Sequence, residues 1–238
     1  MPEAEVRQLL VDLDAAARAV KFGKFYTYFP DEGPLRRELY DKHTEFFAAG
    51  AKYTERLFLA ANRVGKTVAG SYEGTAHLTG KYPHWWKGRV FHRPIRMWAA
   101  GDFNETTRDV IQKEMLGQVE WHGEKKGVDG AGMIPRDLIN QSSITWKAGV
   151  PDLIDTVRIK HELGGESVLG LKSYQQGRRS FQGTAQDVIW TDEEPPMEVY
   201  NEMLIRLMTT GGLAMLTFTP LMGWTDVVES FMPEQHVN

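Results

Sequence analysis

The sequence of 238 residues contains no cysteine, and this excludes both a disulfide framework and a thiolate metal site. It also lacks any apolar run approaching the roughly 20 residues that a membrane-spanning helix needs. The N-terminal residues, which include Glu3 and Glu5, do not have the pattern of a signal peptide. We therefore expect a protein without a membrane segment in a reducing, cytoplasmic compartment.

The formal net charge of −4 argues against a broad basic face that coats nucleic acid. Acidic residues are nevertheless missing between Gly74 and Gly101. This stretch interleaves basic with aromatic residues: Lys81, Lys87, Arg89, Arg93 and Arg96 with Tyr82, Trp85, Trp86 and Phe91. Such a mixture is typical of a surface that follows a nucleic-acid backbone and stacks on bases. The alternative is a solvated loop whose tryptophans pack beneath it.

Hydrophobic periodicity predicts strands alternating with helices. Helices are expected over 1–20, 35–49, 68–78, 105–116 and 197–209, and strands over 95–101, 187–191 and 213–218. Shorter β-like pieces cover 142–147, 156–163 and 167–174, and the glycine-rich stretch 121–135 is expected to be a mobile surface excursion. The alternation favours an α/β fold with a mainly parallel sheet wrapped by helices, whose ligands bind at the carboxyl ends of the strands.

One stretch departs from this generic pattern, because the apolar run Leu57 to Ala60 breaks at Gly65-Lys66-Thr67 and continues as a helix. A strand that ends in a tight loop and restarts as a helix directs backbone N–H groups and the helix dipole at one spot, which suits the phosphates of a nucleotide. Lys66 would reach the β- and γ-phosphates, and the Thr67 hydroxyl would hold Mg²⁺. The sequence therefore predicts a nucleotide site.

The complete motif has glycine five residues before Gly65, where this chain has Ala60. At average residue usage, a bare Gly-Lys-Ser/Thr tripeptide arises by accident in about one chain of this length in ten. The preceding apolar run strengthens the interpretation, since the motif is meaningful only when it follows a strand and opens a helix. The alternative is an ordinary loop before an amphipathic helix.

The run Val188 to Thr191 delivers the acids Asp192, Glu193 and Glu194 at its end. A buried strand that places a carboxylate beside a phosphate loop can hold the Mg²⁺ of a bound triphosphate, and we assign Asp192 to that role. The adjacent Glu193 is the candidate general base for the attacking water, with Glu194 as a neighbour that is easily confused with it. Taken alone, the run is better explained as an acidic turn capped by Pro195 and Pro196; the phosphate loop earlier in the chain favours the metal-binding interpretation.

Three motifs in this order resemble the ATPase domain of the large terminase subunit of tailed bacteriophages. They are Asn62-Arg63-Val64-Gly65-Lys66-Thr67, the segment Gly183 to Pro195, and Thr217-Phe218-Thr219-Pro220. The resemblance implies a P-loop NTPase core with an N-terminal helical lead-in. It further implies that Thr219, with Thr217 as a second candidate, couples the γ-phosphate to movement of DNA-gripping parts. Taken alone, Thr-x-Thr-Pro at a strand end is common turn chemistry.

In that family an aromatic and polar segment before the phosphate loop holds the adenine, and Leu39 to Phe47 is similar to it. Tyr40, His43 and Phe46 are the expected contacts, although a core-facing helix stripe explains Tyr40, His43 and Phe47 equally well. Asn62, Arg63 and Val64 are expected to bind the nucleotide together with Gly65, Lys66 and Thr67.

Ring motors also need a cation from a neighbouring subunit at the transition state. Arg179 is assigned to this catalytic role, with Arg178 beside it. The alternative is that both arginines line a solvated loop.

The resemblance implies a lead-in over 1–34 and an ATPase domain over 35–238. The family's nuclease domain has no room in this chain, which is then either part of a longer protein or a stand-alone ATPase. The implied function is Mg²⁺-dependent ATP hydrolysis that drives double-stranded DNA into the prohead, in the host cytoplasm. The implied partners are the DNA, further copies in a ring, the portal and the small terminase subunit. Two alternatives are a helicase-like or repair translocase and a nucleotide-binding assembly module that does not hydrolyse.

Overall fold

The computed structural model describes residues 3–232. Within them the strands are β1 Glu55–Leu59, β2 Arg96–Gly101, β3 Val119–His122, β4 Lys125–Val128, β5 Ile139–Trp146, β6 Ile154–Lys160, β7 Glu166–Ser173, β8 Val188–Asp192 and β9 Leu213–Phe218. Seven of them form one sheet in the order β1-β9-β8-β2-β7-β6-β5, and β3 pairs with β4 in a hairpin.

The part of the sheet from β1 to β7 is parallel, whereas β6 and β5 extend it as antiparallel strands. Every residue of β8 and β9 is buried, as expected for central strands of a parallel sheet that is covered on both faces. The carboxyl ends of β1, β9 and β8 consequently lie side by side. This confirms the prediction of an α/β fold with a mainly parallel sheet.

Helices cover both faces of this sheet. Within the described residues the helices are α1 Glu3–Phe22, α2 Lys24–Thr27, α3 Asp41–Ala49, α4 Lys66–Thr79, α5 Asn104–Thr106, α6 Lys113–Leu116, α7 Met197–Met208 and α8 Asp226–Ser230, of which α4 and α7 pack on opposite faces of the sheet. Because side chains alternate along a strand, neighbouring residues of β8 enter opposite layers. Trp190 joins a core with Tyr72 of α4, and Ile189 joins a second core with Tyr200 of α7.

Two helix predictions need correction at their bounds. The helix expected over 35–49 consists of a short 3-10 turn, Arg37–Leu39, followed by α3 from Asp41. The helix expected over 105–116 contains a π-helical stretch, Thr107–Gln112, between α5 and α6. The Thr107 hydroxyl donates a hydrogen bond to the Phe103 carbonyl at 2.8 Å and lies 3.1 Å from the Lys172 carbonyl.

The prediction of a mobile excursion over 121–135 is wrong for its second half. Val128, Met133 and Ile134 are fully buried. The glycines here allow close packing, since a Cβ built on Gly132 would lie 2.4 Å from the backbone nitrogen of Leu116. Gly132 is therefore explained by close contact between backbones rather than by freedom to move.

The basic and aromatic stretch 74–101 turns its rings inward. Trp86 stacks on Phe47 with ring centroids 5.4 Å apart, and Trp85 stacks on Tyr72 at 6.1 Å. Phe91 is buried in the same core. Of the two interpretations of this stretch, the structure has the one in which the tryptophans pack beneath the loop.

The predicted N-terminal amphipathic helix is present as α1, and its apolar residues Leu9, Leu10, Leu13 and Val20 are each more than half exposed. After it, Phe25 and Phe29 are buried against Tyr72 of α4. None of the helices in the described part of the chain combines the length and the apolar character needed to cross a membrane.

Candidate nucleotide-binding site

The loop between β1 and α4 has the strand–loop–helix form expected from the sequence. Gly65 precedes α4 with φ of 84°, a conformation that glycine adopts without strain. Arg63 has φ of 63° although it is not glycine, which is uncommon and is found where the surroundings hold the backbone. His43 lies behind the loop, with Nε2 3.0 Å from where a Cβ on Gly65 would stand. A side chain at position 65 would therefore strain the backbone and crowd His43.

Ala60 stands where the complete motif has glycine, and its backbone explains why. It is not among the described non-glycine residues with positive φ, and its N–H continues the sheet by donating to the Phe218 carbonyl at 3.4 Å. A residue with a Cβ fits a position without positive φ and is not strained there. The departure from the motif therefore leaves the loop intact.

The Lys66 ammonium is buried and donates to three acceptors. They are the carbonyls of Ala60 at 3.0 Å and Ala61 at 2.7 Å, and Thr219 Oγ1 at 2.9 Å. The Thr219 hydroxyl lies 2.8 Å from Asn62 Oδ1, to which it can donate. Because an ammonium has three protons, each has an acceptor. The hydrogen bond from Lys66 to Thr219 thus connects the loop between β1 and α4 to the segment that follows β9.

Asp192 at the end of β8 is held by two hydroxyls. Thr67 Oγ1 donates to Asp192 Oδ2 at 2.8 Å, and Thr217 Oγ1 donates to Asp192 Oδ1 at 2.8 Å. The Thr217 oxygen in turn accepts a hydrogen bond from Trp190 Nε1 at 2.8 Å. The predicted pair of Thr67 and Asp192 therefore lies together, supported by a hydrogen-bond chain through the core.

Burial raises the pKa of Asp192 from its ordinary value of 3.8 to about 6. The hydroxyls of Thr67 and Thr217 oppose this effect, since they donate to the charged form. No salt bridge to Asp192 occurs among residues 3–232. The carboxylate thus lies buried beside a hydroxyl without a cationic partner.

Glu193 follows with φ of 87° and with both backbone hydrogen-bonding groups engaged. Its N–H donates to the Thr217 carbonyl at 3.1 Å, and its carbonyl accepts from the Tyr174 hydroxyl at 2.9 Å. Desolvation raises the pKa of the Glu193 carboxyl, and the nearby charge of Lys66 opposes this. A carboxylate on the Lys66 side of the sheet edge with an elevated pKa is suited to accept a proton.

Glu194 points elsewhere, because its carboxylate accepts a hydrogen bond from the Thr225 hydroxyl. Thr225 is the N-terminal cap of α8. The two neighbouring glutamates, which the sequence left hard to distinguish, therefore have different surroundings.

The candidate arginines differ in the same way. Arg178 pairs through Nε with Glu202 of α7 at 2.9 Å, and Arg206 pairs with the same carboxylate at 3.0 Å. Arg63 and Arg179 are exposed, and neither guanidinium has a hydrogen bond or ion pair to another residue in the described range. Arg178 is thus held against α7, whereas Arg63 and Arg179 are available to a partner.

The residues expected to contact adenine lie beside the loop. His43 is buried, and desolvation lowers its pKa. Tyr40 is half-buried and meets Phe29 and His43 edge-on at 5.5 and 5.4 Å. The third expected contact, Phe46, stacks on Phe58 of β1 at 5.4 Å. These contacts are those of a core-facing helix stripe, and contact with adenine stays a prediction.

Two parts of the site have little signal in the sequence. Trp190 fits against Gly70 of α4, where a Cβ would lie 2.1 Å from its ring, and its indole N–H supports Thr217. Tyr174, which donates to the Glu193 carbonyl, directly follows the carboxyl end of β7. The signals in the sequence were a glycine inside a helix, Gly70, and a tryptophan two residues before an acid, Trp190 before Asp192.

Comparison with known proteins gives an independent result. The family described as "Terminase large subunit, T4likevirus-type, N-terminal" matches residues 57–236. The large terminase subunit of Salmonella phage P22 is 38% identical over 212 residues, which cover 81% of this chain and 41% of that protein. The chain thus spans about two-fifths of the length of this relative. The solved large terminase of a thermophilic bacteriophage, in complex with ADP, aligns with 84% of this chain and 38% of its own at 12% identity and a TM-score of 0.44.

A mainly parallel sheet with a glycine–lysine–threonine loop at the end of β1 defines the class, an α/β protein of the phosphate-loop type. Within that class the chain belongs to the terminase large-subunit family. The family that the sequence motifs indicated is therefore confirmed.

Proposed function

We propose that this chain is the ATP-hydrolysing part of a motor that packages double-stranded DNA. The observation that carries the proposal is the meeting of three strand ends. The loop after β1 meets the residue after β9 directly, since Lys66 donates to Thr219 at 2.9 Å. Asp192 at the end of β8 meets both sides, since Thr67 of α4 and Thr217 of β9 each donate to it at 2.8 Å. These are the groups that phosphoryl transfer needs around a triphosphate.

The donor set fits Mg²⁺. No group of three or more acidic or histidine side chains able to hold a metal occurs in the part of the chain described here, but Mg²⁺ keeps several waters and is commonly bound through one carboxylate together with substrate phosphates. Thr67 and Asp192, whose oxygens are 2.8 Å apart, would hold it. When bound, the ion would neutralise charge on the phosphates.

The remaining steps belong to the side chains of this chain. Lys66 exchanges its three protein acceptors for phosphate oxygens, assisted by the backbone N–H groups of residues 62–66. Glu193 aligns the attacking water with the γ-phosphorus and accepts its proton. The bond between the γ-phosphorus and the bridging oxygen breaks, and ADP is the leaving group. Thr219, which contacts both Lys66 and Asn62, couples the loss of that phosphate to movement of the DNA-gripping parts. Arg179 of one copy in a ring serves the site of the next.

The family relationship extends the proposal to partners. The DNA is the moving substrate, and the portal and the small subunit are the assembly partners. A helicase-like translocase with the same core would instead unwind short duplexes in the absence of a prohead, and that outcome would replace the packaging role.

The test is Glu193→Gln, which keeps shape and removes the base. We expect steady-state phosphate release to fall by about 10²-fold or more, with the affinity for a fluorescent ATP analogue unchanged. Glu194→Gln is the matched control, since its carboxylate faces Thr225, and it should hydrolyse like the unmodified chain. Lys66→Ala, which we expect not to bind the nucleotide, gives the background rate of phosphate release.

Turnover by Glu193→Gln equal to that of the unmodified chain would refute the assignment of the base. Phosphate release by the unmodified chain no greater than that of Lys66→Ala would favour a binding module that does not hydrolyse.

A further inference from the structure

The backbone of Glu193 adopts an unusual conformation for its residue type. Its φ of 87° lies in the left-handed region, which side chains with a Cβ rarely adopt and which persists only where neighbours fix it. Its N–H is held by the Thr217 carbonyl of β9. That bond alone leaves the following peptide free to rotate, so a second contact is needed to hold the carbonyl.

Tyr174 supplies this contact. Its hydroxyl lies 2.9 Å from the Glu193 carbonyl and 3.4 Å from the Ala100 carbonyl. A phenol has one proton to donate, so the shorter contact is the hydrogen bond. The ring is buried in the core that also contains Phe181, and the hydroxyl reaches past β2 to arrive at the end of β8.

The segment that carries Tyr174 is itself tied down on both sides. Gln175 donates its N–H to the Asp102 carbonyl at 3.0 Å. Asn104 Oδ1 accepts from Ser173 Oγ at 2.7 Å and from Gln176 Nε2 at 2.8 Å. Residues 173–176 therefore form a fixed bridge over the ends of β7 and β2, with the tyrosine directed at β8.

We propose that Tyr174 is a positioning residue that holds the Glu193 peptide in its left-handed conformation and so directs the carboxylate toward the reacting water. The inference rests on the proposed function for the role of Glu193, while the contact itself does not depend on it. Lys66 and Asp102 are the charged groups that act on the Glu193 carboxyl; Lys66 opens α4 after the loop that follows β1, and Asp102 directly follows β2. Without the hydroxyl, the strained peptide relaxes and the carboxylate leaves this position.

The first test is Tyr174→Phe in the full chain, which removes one oxygen and keeps the ring. A misplaced base slows chemistry without weakening nucleotide binding, so we expect kcat to fall by about ten- to a hundredfold with KM for ATP unchanged. Tyr200→Phe is the matched control. That buried tyrosine donates to Glu55 at 2.6 Å, at the opposite end of β1, and its loss should leave kcat unchanged.

A double variant tests the route of the effect. If Tyr174 acts through Glu193, adding Tyr174→Phe to Glu193→Gln should slow hydrolysis no further, since residues that act as one unit are not additive. A multiplied loss in the double variant, or a Tyr174→Phe kcat equal to that of the unmodified chain, would overturn the proposal.

A second measurement does not require hydrolysis. Amide hydrogen exchange of the peptide covering 190–197 should be at least about tenfold faster in Tyr174→Phe, because the contact that closes this turn is lost, and unchanged in Tyr200→Phe. Unchanged exchange in Tyr174→Phe would refute the positioning contact. If the unmodified chain releases no more phosphate than Lys66→Ala, the proposed function fails, and exchange alone then decides whether Tyr174 holds the Glu193 peptide.

Discussion

Replacing Asp192 by asparagine should stabilise the protein at neutral pH in the absence of metal. The folded state raises the pKa of Asp192 from 3.8 to about 6 because the carboxylate is buried without a cationic partner. A folded protein that binds this proton more tightly than the unfolded chain loses stability as pH rises through the interval between the two values. The destabilisation is therefore absent below about pH 4 and complete above about pH 7.

The magnitude follows from the same shift. A rise from 3.8 to about 6, at about 1.36 kcal/mol per pKa unit, amounts to about 3 kcal/mol as an upper value. The asparagine amide keeps the hydrogen-bonding pattern, since the hydroxyls of Thr67 and Thr217 can each donate or accept. We expect Asp192→Asn to raise the free energy of unfolding by about 1 to 3 kcal/mol at pH 7.5.

The assay is urea unfolding followed by far-UV circular dichroism, with a chelator present, at pH 7.5 and at pH 4.5. The gain from Asp192→Asn should be large at pH 7.5 and much smaller at pH 4.5. Asp187→Asn is the informative control. Asp187 is also buried, but it accepts two hydrogen bonds from Arg93, at 2.6 and 3.2 Å, and one from the Arg96 N–H. Its replacement should destabilise, by about 1 to 3 kcal/mol.

The result that refutes this reasoning is an Asp192→Asn variant equal to or less stable than the unmodified chain at pH 7.5. A gain of equal size at both pH values would also refute it, because the effect would not then arise from titration. Glu193, whose charge contributes to the raised pKa of Asp192, is present in both proteins, so the difference between them measures the Asp192 carboxylate together with that interaction.

Two further substitutions test the core that supports the site, each by urea unfolding. Gly70→Ala should destabilise the protein by about 1 to 3 kcal/mol, because the new Cβ would lie 2.1 Å from the Trp190 ring. Gly74→Ala is the control and should cost less, since its Cβ meets the flexible end of a methionine. Equal losses of stability in the two variants would contradict the tight fit of Trp190 against Gly70. Arg56→Met should cost about 3 to 5 kcal/mol, since it removes the guanidinium 2.8 Å from the fully buried Glu73 carboxylate and leaves that carboxylate with only the His77 ring at 3.2 Å. Adding Glu73→Gln should recover part of that loss, and no recovery would show that the charge is not the cause.

Local patterns were sufficient to predict the three strand ends that carry the site. Lys66 follows an apolar run and opens a helix, and Asp192 ends a run in which every residue is buried. Both signals lie within about ten residues of the chain, where periodicity and turn chemistry determine the structure. The coupling role of Thr219 required the family's order of motifs in addition, and its contact with Lys66, 153 residues away, was not predicted.

The contacts that long-range packing determines had no local signal. Tyr174 meets Glu193 across β2, and Thr217 meets Asp192 from the next strand. The order of β5, β6 and β7 was not predictable either, because antiparallel addition to a parallel sheet depends on pairing rather than on composition. Glycines over 123–132 indicated mobility when considered alone, yet their neighbours Val128 and Met133 are fully buried.

The two central charges of the site, on Lys66 and Asp192, act on each other only at a distance, and their direct hydrogen-bond partners are uncharged. Lys66 donates to two carbonyls and a hydroxyl, and Asp192 accepts from two hydroxyls. Within the described residues neither side chain forms a salt bridge. Buried charges held only by dipoles retain part of their desolvation cost, and a ligand that carries both phosphate and a cation would relieve both. The elevated pKa of Asp192 is the measurable sign of that cost. On the proposed function, the same unpaired charges that lower the stability of the free protein increase its affinity for a metal-bound triphosphate.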